Sequence, residues 1–179
     1  KIVQYNVQST EKEKFDGVML DIEPYISDSW KENPEEYMDR YISCMKKGYK
    51  FAQKNHLRTA ICIPRHYDNQ GLTSGLEELI KETCDEVAVM NYSCGNEIEA
   101  IRTEAALSEK YGKELHCILE FQEVGKHGLT ENKTYRNKGI DNAKETWEKL
   151  QKEYKNINVT RDYHWSRPVR EMLEEKNAD

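Results

Sequence analysis

The sequence predicts an α/β fold built on a parallel sheet. Three observations predict it: short apolar runs alternate with stretches of helical period, consecutive runs lie much further apart than a hairpin turn allows, and the runs end in clusters of polar and aromatic residues.

The first run is FDGVMLDIEPY, Phe15 to Tyr25, preceded by the solvated turn EKEK. Asn33, Pro34 and Glu36 then supply a cap, a first-turn proline and a capping glutamate. Tyr37, Met38, Tyr41, Ile42, Met45 and Ala52 recur at helical spacing as far as about His56. TAICIP, Thr59 to Pro64, reads as a buried strand, and a Gly-bearing loop leads from it into the helix LEELIKET. EVAVMNYS (Glu86 to Ser93) precedes a helix over 97–111, and ELHCILEF (Glu114 to Phe121) precedes a long polar loop and a helix over 138–154. NVTRDYHW (Asn158 to Trp165) precedes a last helix over 168–175, which makes five βα units in one domain spanning 1–179.

Parallel neighbours leave two architectures, an open doubly wound sheet or a closed (β/α)8 TIM barrel. No Gly-rich phosphate loop follows any strand, whereas Glu23, Arg65, His66, Tyr92, Glu120, Gln122, His164 and Trp165 gather at strand ends, which converge on one mouth in a barrel.

Composition narrows the functions further. The 179 residues, 37% of them hydrophobic, supply one core, and a net charge of -6 without a basic stripe excludes nucleic acid as the expected partner. No apolar run approaches the roughly 20 residues of a membrane span. The chain starts at Lys1 with nothing like a signal peptide, so a leader was removed or the sequence begins inside a longer chain, and the compartment is not readable from the residues. The five cysteines are odd in number and lack a CxxC pair, which favours buried thiols over a disulfide framework. No histidines fall at metal-ligand spacing, so neither a metal nor another cofactor is expected. The N-x-S/T triplets at Asn91, Asn132 and Asn158 read as chance.

The acidic strand carries the sharpest signal. Alternation sends Val18, Leu20 and Ile22 to one face and Met19, Asp21 and Glu23 to the other. Asp21 and Glu23 then lie about 6 to 7 Å apart at the strand's C-terminal end, facing the barrel mouth. Two carboxylates this close in a partly dry site resist ionising together, which raises one pKa and suits the pair to general acid work. The plainer reading is an Asp21 paired with an inward Arg and a Glu23 that begins a loop before Pro24.

FDGVMLDIEPY resembles the fourth-strand signature of family 18 glycoside hydrolases, the chitinase-like barrels, an acidic-Gly start followed by D-x-D-x-E. Asp16, Gly17, Asp21 and Glu23 match, and Met19 stands where the first Asp of that pattern would be. Met90 and Tyr92 of VMNYS match the sixth-strand M-x-Y, with Ser93 in place of the usual Asp, and Trp165 ends the last strand as the family's sugar-stacking Trp does. The resemblance implies that Glu23 protonates the glycosidic oxygen, that Asp21 orients the substrate's N-acetyl group, and that Tyr92 hydrogen-bonds that group while its carbonyl oxygen attacks the anomeric carbon. It also implies a carbohydrate partner, an extracellular or cell-envelope location, and an incomplete barrel of strands four to eight. A complete barrel needs about 250 residues, so a second chain, a swapped copy or a further segment is expected to cover two open edges.

Two alternatives stand beside this. One is a carbohydrate-binding barrel without turnover, which Met19 and Ser93 favour; the other is a two-carboxylate retaining glycosidase using Glu23 and Glu120. Arg65, Asn91, Glu120, His164 and Trp165 complete the candidate sugar-binding set, with His66 also placed to bind hydroxyls. Trp30 is a candidate for lining the cleft and Trp147 for the core.

Overall fold

The computed structural model describes residues 1–178. Its centre is a five-stranded, all-parallel sheet in the order β1-β2-β3-β4-β5, with β1 Gly17–Asp21, β2 Arg58–Pro64, β3 Glu86–Met90, β4 Glu114–Glu120 and β5 Val159–His164. An N-terminal helix α1 (Ile2–Gln8) and a short α2 (Asp28–Glu32) precede the first crossover. The crossovers are α3 (Pro34–Lys54), α4 (Thr73–Thr83), the pair α5 (Glu97–Ala100) and α6 (Arg102–Tyr111), and α7 (Ile140–Glu153), while α8 (Ser166–Ala178) closes the described chain.

Strict sequential order decides which faces are covered. Right-handed crossovers that always step to the next strand on the same side lay every helix on one face, whereas a doubly wound sheet must reverse its order to cover both. The helix-covered face is accordingly the dry one. Ile61, Ile63, Val87, Val89, Leu115, Cys117 and Leu119 bury against Leu76, Leu79, Ile80, Ala105, Trp147 and Leu150, and the Trp147 indole N–H donates to the Cys117 carbonyl at 2.9 Å. The other face holds a small cluster of Cys62, Ala88 and Ile118 under Met90 and Tyr92. The outermost strands β1 and β5 do not pair with each other and leave the sheet with two edges.

The capping signals at Asn33 work as read: its Oδ1 accepts from the Glu36 N–H at 3.4 Å, and Pro34 opens α3. Gly75 lets α4 approach α3, because a Cβ there would sit 2.5 Å from Met38 Cγ. Two expectations are corrected, and the reading of the cysteines as thiols holds with only three of them buried. The helix over 97–111 is broken at Ile101, whose buried side chain enters the core between α5 and α6. Trp30 is not in a cleft; α2 presses it, 3% exposed, onto Tyr67 at a ring distance of 5.6 Å. Of the cysteines, Cys62, Cys84 and Cys117 are buried, Cys94 is half-buried and Cys44 is exposed, and all five are free.

Candidate active site

Three strata of side chains stand on the bare face. At the N-terminal ends of the strands Arg58 bridges Glu86 (2.7 Å) and Glu114 (2.9 Å), and His116 bridges Glu86 (2.7 Å) and Asp162 (3.1 Å). The Asp162 hydrogen bond, opposed by burial and aided by Glu86, raises the His116 pKa. Above this lies the Cys62, Ala88 and Ile118 cluster, where burial pushes the Cys62 thiol up to about 12. At the C-terminal ends opens a cleft of about 1190 Å³, lined by Met19, Asp21, Glu23, Tyr92, Glu120, His164 and Trp165 among others.

Asp21, the last residue of β1, and Glu23, just past its end, both line this cleft. Burial and the nearby charge of Glu23 raise the Asp21 pKa, while His164 pulls it down. Glu23 accepts a hydrogen bond from the Tyr25 hydroxyl, and Tyr25 is buttressed edge-on by His66 at 5.2 Å. Burial is the main cause of the raised Tyr25 pKa, followed by that hydrogen bond, so the phenol stays a donor. Tyr92 is likewise kept protonated, first by burial and then by the charges of Glu120, Asp21 and Glu23.

Glu120 is held differently. It is 2% exposed, its Oε1 accepts from the Phe121 and Gln122 backbone N–H groups at 2.8 Å each, and its Oε2 meets His164 Nδ1 at 2.8 Å and Gln122 Nε2 at 3.2 Å. Burial alone would raise its pKa, but His164 and the Gln122 contacts outweigh burial and lower it. The same contact raises the His164 pKa against the effect of burial, with Asp21 and Glu23 adding to the rise. His164 therefore presents its Nε2 to the cleft with Nδ1 tied to a buried carboxylate, beside the Tyr92 ring at 5.9 Å. The loop after β4 is fixed by Thr134, whose hydroxyl donates to the Gln122 carbonyl at 2.6 Å, and by the Tyr135 N–H, which donates to the Glu120 carbonyl at 2.8 Å.

Three expected residues lie elsewhere. Asn91 follows Val87 and Val89 in parity, faces the helices at 1% exposure, and donates to the Glu97 carbonyl at 2.9 Å and to Cys117 Sγ at 3.5 Å. Arg65 follows Ile61 and Ile63 to the helix side, where its charge acts on the buried Glu104. His66 supports Tyr25 instead of lining the cleft. The charge stratum of Arg58, Glu86, Glu114, His116 and Asp162 escaped the sequence reading, although Glu86 shares the parity of Ala88, His116 that of Ile118, and Asp162 that of His164.

Glu104 on α6 is the one fully buried carboxyl whose two oxygens both lack a partner among the described residues, and burial lifts its pKa to about 7. No group of three or more His, Cys, Asp or Glu among the described residues is placed to hold a metal ion, and no described helix is long and apolar enough to cross a membrane. No family model, curated protein or solved structure matches the chain.

Proposed function

We propose that the cleft is the active site of a glycosidase acting on N-acetylhexosamine-containing glycan by substrate assistance. One observation carries the reading: Asp21 at the end of β1 and Glu23 two residues beyond it line one cleft at the C-terminal ends of parallel strands, with Tyr92 and Trp165 in the same walls. In this reading Glu23 gives its proton to the glycosidic oxygen as the N-acetyl carbonyl oxygen closes on the anomeric carbon. Asp21 accepts from the acetamido N–H, and the Tyr92 hydroxyl donates to the acetamido oxygen. The resulting oxazolinium is opened by water, whose proton returns to Glu23, so the leaving alcohol and the hydrolysed sugar restore the starting protonation. Trp165, 50% exposed at the cleft wall, offers the apolar face on which sugar rings stack.

The resemblance to family 18 glycoside hydrolases supports this assignment in the first strand, and Met19 departs from it. The inner Asp that would share charge with Asp21 is missing, and His164 across the cleft is the group that opposes the rise of the Asp21 pKa. We further propose that the sheet is an arc of a (β/α)8 barrel, because sequential strands with helices on one face curve toward closure and both edges await partners. A second chain or a further segment would supply the remaining strands.

The mechanism pairing Glu23 with Glu120 is disfavoured by Glu120 itself. A carboxylate already accepting from two amides, His164 and Gln122 has no free lone pair to attack an anomeric carbon. Hydrolysis of an aryl N-acetylchitooligosaccharide tests the proposal: turnover by wild type that falls about 10²- to 10⁴-fold in Glu23→Gln supports it. Binding of that sugar without turnover in either protein would favour the non-catalytic carbohydrate-binding reading. Loss of turnover in Glu120→Gln with full activity in Tyr92→Phe would overturn substrate assistance.

A further inference from the structure

Trp165 stands where two cavities meet. The main cleft and an adjoining pocket of about 370 Å³ share Gln122, His127 and Trp165 in their walls. That volume is near the lower end of the roughly 300–1,000 Å³ typical of small-ligand sites. The walls around Trp165 are basic in a chain whose net charge is -6. Lys133, Arg161 and Arg170 line the cleft on one side of the indole, and Lys126, Arg136 and Arg167 line the pocket on the other.

These cations differ in what holds them. Arg136 is tied to Glu175 at 2.8 Å and lies near Glu171, and Arg167 is tied to Glu171 at 3.0 Å. Among the described residues Lys126, Lys133, Arg161 and Arg170 have no salt bridge and no side-chain hydrogen bond, although Asp162, Glu123 and Glu171 stand in the same walls. Asp162 is engaged by His116 and Glu171 by arginines. The same cleft holds Asp21 and Glu23 on and just past β1, so an acidic pair where the bond would be cut shares it with the cations around Trp165.

The loop that forms the basic side is held in an unusual backbone state. His127 lies in the left-handed region (φ 49°, ψ 29°) between Gly125 (φ 91°) and Gly128 (φ 73°). A non-glycine residue there costs about 1 kcal/mol or more and concentrates at ligand clamps.

We propose that the arm of the cleft beyond Trp165 binds an acidic substituent of the glycan, a carboxylate or a sulfate ester, on the sugar next to the one being cleaved. This rests on the glycan reading and names its substrate class. The unpaired cations would take the substituent's charge, with arginine giving two parallel N–H···O bonds to a planar carboxylate. The indole would carry the ring that bears it.

Calorimetric titration of the full chain with three tetrasaccharides of similar length tests this: neutral N-acetylchitotetraose, its 6-O-sulfated form, and an alternating N-acetylglucosamine–glucuronate oligomer. At low salt the acidic probes are expected to bind about tenfold tighter than the neutral one, and the advantage should shrink at high salt because exposed charges are screened. An advantage for the glucuronate oligomer alone assigns the arm to carboxylates, and for the sulfated probe alone to sulfate esters. The double substitution Lys133→Glu with Arg170→Glu should bring the acidic-to-neutral affinity ratio to one or below; both side chains are exposed, and an unchanged thermal unfolding curve checks the fold. Equal affinity for all three probes, or a ratio unmoved by the double substitution, overturns the acidic arm and leaves the glycosidase reading standing. Failure of wild type to bind any of the three overturns both.

Discussion

The two faces of the sheet spend the same alternating pattern in opposite ways. On the helix side, Ile61, Ile63, Val87, Val89, Leu115 and Leu119 meet apolar partners and the indole of Trp147 satisfies its one polar atom on Cys117. On the bare side, charged residues stand on the same strands, and each stratum settles its charges differently: Arg58 and His116 neutralise the floor, while Asp21 and Glu23 at the top share no described salt bridge. The difference teaches that one face holds the dry core while the other keeps charges exposed, since paired charges stabilise little and unpaired ones remain available to a ligand.

That contrast can be broken most strongly from the helix side. Trp147→Ala is expected to lower unfolding free energy by about 3–5 kcal/mol, whereas Met19→Ala on the bare side, 47% exposed, should change it by less than about 0.5 kcal/mol, both read by urea denaturation. Equal losses would mean that something as dry as the core covers the bare face.

The next largest effect tests the buried carboxyls against each other. Glu104 lacks partners and has a folded pKa of about 7, above the ordinary 4.5, so the folded state holds a proton that the unfolded chain releases. Stability from this group is therefore intact below about pH 4.5 and is lost as pH rises toward 7. Glu104→Gln should leave stability nearly unchanged at pH 4 and raise it by about 2 kcal/mol at pH 8, as seen in paired denaturation curves. Glu120 has the reverse sign. Its lowered pKa contributes above the ordinary carboxylate range and fades as pH falls, while the raised pKa of His164 contributes below the ordinary imidazole range and fades as pH rises. The pair is worth most in the mildly acidic window between, where Glu120→Gln should cost about 1–2 kcal/mol, and NMR titration should show the His164 pKa falling in that variant.

The smallest expected change sharpens the packing side. Gly75→Ala must move Met38 or separate α3 from α4, at a cost of about 1 kcal/mol despite the better helix propensity of alanine.

Much of this contrast was legible in the sequence where period and cap agree. The alternation in GVMLD placed Met19 and Asp21 on the bare side, the same parity carried on to Glu23 two residues past Asp21, and Asn33-Pro34 with Glu36 fixed the start of α3. Position near a strand end was a poorer guide than parity: Arg65 and Asn91 close strands but continue the helix-facing series, so both turn away from the cleft and Asn91 is buried. The state of Glu120 could not be read because its partners are its own following amides and a histidine 44 residues away. The burial of Trp30, read as a cleft candidate, could not be foreseen because a five-residue helix is too short to show a period. The basic side of the cleft was hidden because its cations come from a loop, a strand and a helix, each of ordinary composition.

The account stands most directly on where a mimic of the reaction's charged intermediate goes. Titrating the isotope-labelled protein with a thiazoline analogue of N-acetylglucosamine, and following side-chain NMR signals, is predicted to shift Asp21, Glu23, Tyr92 and Trp165 with one common affinity while Glu86 and Glu114 stay still. Saturating shifts confined to another part of the surface, with Asp21 and Glu23 unmoved, would contradict it.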